Sequence, residues 1–167
     1  ATPLQVDRRP RARLFVGLLV GVAVVALGVW YAHSPAALPV SDRQVTAATP
    51  QGQPVYLGVF APPDDFGRTL HLSGVKVHTT SNTQVQVTPL LCRGGAVGVT
   101  TEPDTFCADV VDPEGQQLSA GDAIVLEVRS DLPAIAVIDR VRLGFRDGLR
   151  WGTLEAGSDA VVRVLGR

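Results

Sequence analysis

Hydrophobic positions along this chain follow two different rules. From Leu14 to Ala32 they run on without a single charged residue for nineteen positions. After Pro54 they alternate with polar residues at a period of two. The first pattern predicts a helix of about 28 Å at ~1.5 Å per residue, close to the hydrocarbon thickness of a bilayer. In lipid such a segment must be helical, because its backbone groups find no partners outside itself.

The second pattern predicts short strands. Pro54 to Ala61 is one, ended by the turn cluster Pro62-Pro63-Asp64-Asp65. In Arg68 to His78 the apolar pairs Leu70/Leu72 and Val75/Val77 sit on opposite parities, and Gly74 between them marks a bulge. Thr83 to Leu91, Ala96 to Thr100, Phe106 to Val111, Ala123 to Arg129, Ile135 to Phe145, Leu149 to Leu154 and Ala160 to Leu165 follow. About seven to nine short strands separated by turns read as an all-β fold, an antiparallel Ig-like β-sandwich preceded by a single N-terminal transmembrane helix. In Ala123 to Arg129, Ile124, Leu126 and Val128 are expected inside and Val125 outside.

The hairpin around Asp147-Gly148 admits two registers. A two-residue Asp-Gly turn pairs Arg146 with Leu149 and points Arg150 at the face of Val141, Leu143 and Phe145. A three-residue loop with Gly148 left-handed pairs Phe145 with Leu149 and puts Trp151 on that face instead. A one-residue slip exchanges the faces, so the cost of burying an unpaired arginine favours the second register.

These patterns divide the chain into a basic arm (1–13), a membrane helix (14–32), a Pro-rich extended linker (33–54) with room for a first edge strand at Val40 to Thr46, and a β domain (55–167). The linker carries Pro35, Pro39, Pro50 and Pro54, each lacking an amide proton. Charge then gives the helix a direction. Arg8, Arg9, Arg11 and Arg13 oppose only Asp7, a net of +3, while the whole chain is -1. Basic residues beside a membrane segment favour the cytoplasmic side. Trp30 and Tyr31 mark the other end, suited to the headgroup layer. The expectation is a single-pass cell-membrane protein with its N-terminus cytoplasmic and its domain extracytoplasmic. A cleaved signal peptide is the alternative; the apolar run is long for one, and Ala32-His33-Ser34-Pro35 is a poor cleavage site. The acidic balance of the domain gives no electrostatic reason to expect nucleic acid. Heavy use of Arg, Ala, Gly and Val, with Lys76 the sole lysine, suggests a high-GC bacterial genome of the actinobacterial kind.

Candidate chemistry is sparse. Cys92 and Cys107 are the only cysteines, and outside the cytoplasm such a pair is expected to form a disulfide. Redox spacing is absent, and a metal site would need further ligands from His71 and His78. Glu102, Asp104, Asp109, Asp112 and Glu114 read as solvated loops, without EF-hand spacing. Arg140, Arg142, Arg146 and Arg150 form a candidate partner-binding surface for an anionic partner, against the plainer reading of a solvated strand face. Gly17, Gly21 and Gly28 lie near one helix face, a candidate helix–helix contact that would allow a homodimer. Nucleophile-elbow, zincin, Walker and Rossmann motifs are all absent.

The expected function is therefore a non-enzymatic interaction or accessory module of a bacterial envelope, without cofactor, partnered by the membrane and by another envelope protein. The alternative is an extracytoplasmic ligand or metal carrier resting on His71, His78 and the acidic loops. A hydrolase with dispersed catalytic residues is a third.

Overall fold

An uninterrupted apolar run becomes one helix, α1, Pro10–Ala32. The structure is a computed structural model that describes residues 10–166, with side chains from residue 15 onward. Arg8 and Arg9 of the basic arm lie outside the described residues, as do the side chains of Arg11 and Arg13. No residue of Phe15–Ala32 is buried against protein. Pro35 cannot continue the helix. Before it, the Ser34 hydroxyl donates to the Trp30 carbonyl at 2.8 Å and closes the last turn.

The rest is mostly strand. In chain order the strands are β1 Val45–Pro50, β2 Val55–Phe60, β3 Leu70–Lys76, β4 Thr79–Ser81, β5 Gln86–Arg93, β6 Val99–Thr100, β7 Asp109–Val111, β8 Gln117–Leu118, β9 Ala123–Arg129, β10 Ala134–Ile138, β11 Val141–Asp147, β12 Arg150–Ala156 and β13 Ala160–Leu165. They form three sheets, ordered β1-β13-β10-β4, β12-β11-β3-β8 and β6-β2-β9-β5-β7. Every named pairing is antiparallel except β1 with β13, which is parallel.

One core joins the three sheets. Leu57, Leu126 and Val128 of the five-stranded sheet belong to the same buried cluster as Leu72, Leu143 and Phe145, and as Ile138 and Val162. The alternation of β9 explains only half of its burial. Ile124, Leu126 and Val128 face this core, but Val125 is also fully buried, in a second cluster with Ala123, Cys92, Val97 and Cys107. The disulfide loop folds back over the outer face of β9, so a strand expected to be wet on one side is covered on both.

The bulge lies where parity breaks in β3. Gly144 pairs with Gly74 and Phe145 with Leu72, leaving Ser73 extra. Ile135 to Phe145, expected as one strand, is two. Ala134, Ala136 and Ile138 are buried, then Val141, Leu143 and Phe145. The parity flips at Asp139–Arg140, where the chain leaves one sheet for another and the Asp159 carboxylate accepts from the Arg140 amide at 2.9 Å.

The Pro-rich segment 33–54 holds its strand at 45–50, later than Val40 to Thr46. Ahead of it, Leu38 is buried in the core. Val40 bridges Gly157, whose amide donates to the Pro39 carbonyl at 3.0 Å. The segment is thus laid along the domain and continues the parallel course of β1 beside β13.

Candidate functional site

The β11–β12 hairpin closes differently from both expected registers. Asp147 pairs with Arg150, Arg146 with Trp151 and Phe145 with Gly152. The two-residue turn is therefore Gly148-Leu149. Gly148 takes φ +60° while Leu149 stays out of the left-handed region, as a Gly-first II′ turn requires. This register corrects the expected burial of Leu149 and Trp151. The inner face of β12 is already occupied by Leu154 and Ala156, opposite Leu143 and Val141. Leu149 is 79% exposed and Trp151 49%. Arg150 does fall on the inward parity, but beyond the end of the core, so no charge is buried.

The hairpin tip meets the end of α1. The Arg150 guanidinium carbon lies 4.1 Å from the Tyr31 ring centroid. Trp151 meets His33 edge-on, with centroids 5.1 Å apart and planes at 87°. A Cβ on Gly152 would come within 2.9 Å of Pro35 Cγ, so glycine there lets the linker lie against the strand. Arg68 fastens the same segment from the other side. Its Nε donates to Asp147 Oδ2 at 2.9 Å, and its two terminal nitrogens donate to the carbonyls of Ala37 and Ala36 at 3.2 and 3.3 Å. The result is a collar around residues 31–37, made from the loop before β3 and the β11–β12 turn.

The four arginines of the expected surface divide in two. Arg140 sits in the corner before β11 and pairs with Asp42 at 2.7 Å, with Asp159 at 4.0 Å. Arg142 pairs with Glu155 across the hairpin at 3.0 Å. Arg146 and Arg150, at the far end, have no carboxylate partner among the described residues. Arg150 also lies on the opposite parity from Arg142 and Arg146, so the set is not one face.

A second surface was not legible in the sequence. With Ala134, Ala136 and Ile138 inward, Ile135 and Val137 point outward, 52% and 42% exposed. Val137 pairs with Val161 and Ile135 with Arg163. Thr46, Ala48 and Pro50 of β1 extend the row opposite Val161, Arg163 and Leu165. The outer face of the β1-β13-β10-β4 sheet thus groups Ile135, Val137, Val161 and Leu165 with the hydroxyls of Thr46 and Thr80 and one cation, Arg163.

The sulfurs of Cys92 and Cys107 are 2.01 Å apart, with Cα atoms at 5.3 Å. Beside the loop they close, Tyr56, Leu90 and Val110 line an open groove with Glu102 and Asp104. Burial pushes the Tyr56 phenol above its usual range, and the nearby Glu127 and Asp104 carboxylates add to the effect. Asp112 accepts from the Glu114 amide at 2.8 Å, an ordinary turn contact. His71 pairs across strands with Arg146 and Gln117, whereas His78 lies 4.0 Å from Asp139 near the opposite corner. The histidines therefore do not converge, and no group of three or more His, Cys, Asp or Glu able to hold a metal occurs among the described residues. Gly17 and Gly21 share a shallow groove on α1 with Leu18, Val22, Val25 and Ala26. A Cβ on Gly17, Gly21 or Gly28 would meet nothing within 4 Å.

Comparison of the chain with protein-family models, with curated proteins and with solved structures finds no match. The functional reading rests on the two surfaces and the helix.

Proposed function

We propose that this chain is a single-pass, extracytoplasmic accessory module of a bacterial envelope, acting by binding another envelope protein and not by catalysis. The anchor reading draws on α1. Ahead of Tyr31 its large side chains are exposed all round, Leu18 at 65% and Val25 at 66%. A helix that is apolar on every side needs an apolar phase, and lipid is the one available outside a protein core. The domain is read as a variant Ig-like sandwich, the five-stranded sheet forming one layer and the two four-stranded sheets the other. The core shared by all three sheets supports this.

The observation that carries the interaction reading is the outer face of the β1-β13-β10-β4 sheet. Ile135, Val137 and Leu165 expose 52%, 42% and 54% of their surface there. Grouped apolar side chains on a sheet face mark interaction sites more than scattered ones do.

A photo-crosslinking residue at position 137, in cells carrying the full chain, tests it. A discrete protein adduct is expected there, absent with the crosslinker at exposed Thr88 in the five-stranded sheet, and lost when Ile135 is changed to Asp. Equal labelling at both positions sinks the interaction reading. Protease added to spheroplasts checks the topology: the β domain should be digested, and its protection would reverse the orientation.

A further inference from the structure

We propose that the tip of the β11–β12 hairpin seats in the headgroup layer of an anionic bilayer, with Leu149 and Trp151 reaching toward the acyl boundary and Arg146 and Arg150 on lipid phosphates. The proposal rests on the anchor reading of α1. Its own observation is the level at which the tip stands. Arg150 lies 4.1 Å from the ring of Tyr31, next to the last residue of the helix, and Trp151 packs on His33 just beyond it. An anchor spanning with α1 leaves the hydrocarbon at Trp30 and Tyr31. The tip is thus held at the depth where amphipathic rings are favoured.

The chemistry of the tip suits that layer. Leu149, at 79%, is the most exposed large hydrophobic residue among those described, and it occupies a turn position that polar residues usually fill. Arg146 and Arg150 lack carboxylate partners among the described residues, whereas Arg140 and Arg142 have them. Of these four arginines, the two without a carboxylate partner are the ones nearest the helix end. Anionic headgroups attract such residues within a Debye length. Past residue 13 the chain carries a net charge of -4, the whole being -1 and the arm +3. Its acidic remainder is repelled by the same surface, which confines contact to the tip. A protein partner fits less well. Leu149 and Trp151 together expose on the order of 250 Å2, well short of the ~800 Å2 per side of a standard interface.

Two tryptophans make the test direct, because each can be left as the sole reporter. The full chain is reconstituted into phosphatidylcholine vesicles, with and without phosphatidylglycerol, carrying lipids brominated near the headgroup end of the acyl chain. In Trp30→Phe, Trp151 should be quenched, more strongly with phosphatidylglycerol. Neutralising Arg146 or Arg150 to Gln should lower the ratio of seated to lifted tips roughly five-fold per residue. Leu149→Asp should lift the tip without changing the melting temperature, and without changing Trp30 quenching in the companion Trp151→Phe chain. Quenching of Trp30 but not of Trp151 overturns the seat and leaves the anchor standing. Quenching of neither removes the anchor and the seat with it. Trp151 quenching indifferent to phosphatidylglycerol and to both arginine changes overturns the anionic-lipid claim. A photo-crosslinker at position 149 that captures a second copy in place of lipid also overturns it.

Discussion

Changing Arg68 to Ala removes the side chain that hydrogen-bonds the segment after the helix to the β11–β12 turn. Its guanidinium donates to Asp147 Oδ2 and to the carbonyls of Ala36 and Ala37. A hydrogen bond to a charged group contributes about 1.5–3 kcal/mol net. Both partners of the ion pair are about a quarter exposed, at 22% and 28%, which places this one near the lower end. The two carbonyl bonds are longer and solvent-facing, and water replaces them at a cost of a few tenths of a kcal/mol each. The sum is about 2 kcal/mol. For a domain of this size that corresponds to a melting temperature lower by about 8 °C, at roughly 4 °C per kcal/mol. The assay is thermal unfolding of the full chain in detergent, followed by far-ultraviolet circular dichroism, for Arg68→Ala, Asp147→Ala and the double variant. Coupling of about 1 kcal/mol between the two sites is expected, because they share one bond. Only Arg68→Ala also frees the linker, so trypsin should cut at exposed Arg43 faster in that variant than in Asp147→Ala. An unchanged melting temperature, or single effects that simply add, refutes the collar.

The register of the hairpin has a sharper test in two aromatic truncations. Phe145→Ala should cost about 3–5 kcal/mol by urea unfolding, as for a buried aromatic, while Trp151→Ala should cost under about 1 kcal/mol because its ring is half in solvent. The three-residue loop would make both costs large. The bridge between Cys92 and Cys107, 15 residues apart, should contribute about 3 kcal/mol on the chain-entropy model. Denatured but unreduced protein should show no free thiol, and labelling of both cysteines without reductant would disprove the bond. Tyr56 supplies a pH prediction. Its folded-state pKa is raised, first by burial and then by Glu127 and Asp104. The folded state therefore holds this proton more tightly than the unfolded chain, and stability should fall as pH rises past about 10, where the unfolded phenol ionises. Absorbance of phenolate in Tyr31→Phe, which leaves Tyr56 as the only tyrosine, should rise later than in the unfolded chain; coincident titrations would contradict it.

Most strands could be read from alternation because one face of each meets the shared core. Val55 to Phe60, Ala123 to Arg129 and Ala160 to Leu165 emerge close to where the pattern places them. Gly74 marked its bulge because the parity of Leu70 and Leu72 could not extend to Val75 and Val77. Alternation failed where burial came from elsewhere. Val125 looked wet, and only the loop closed by Cys92 and Cys107 covers it. Thr79–Ser81 and Gln117–Leu118 are too short and too polar to show a period, yet they finish two sheets. Ile135 to Phe145 has an apolar residue at nearly every second place, and so hid the corner at Asp139–Arg140. The same merging hid the outward set of Ile135 and Val137, since an unbroken strand assigns them to the face of Val141 and Phe145.

The hairpin tip failed for a more general reason. In a protein surrounded by water, a Leu and a Trp at strand positions have one apolar phase to enter, the core, and every register is chosen to put them there. The preference against an inward arginine followed from the same assumption, that a strand position on the core parity is a core position. If α1 is the anchor proposed above, both premises lapse at its end. The core of this domain stops at Phe145 and Leu154, so Arg150 shares their parity without sharing their burial. Trp151 stands on His33 and Leu149 is exposed at the turn, where the proposed bilayer provides a second apolar phase. The turn then needs only to satisfy its backbone, and Gly148 does so at the first central position. Where a β hairpin lies next to a membrane anchor, an exposed Leu or Trp at its tip has lipid as an alternative to the core. The ion pairs divide the four arginines in the same way: Arg140 and Arg142 pair with carboxylates of the domain, and Arg146 and Arg150 are left for the proposed lipid phosphates.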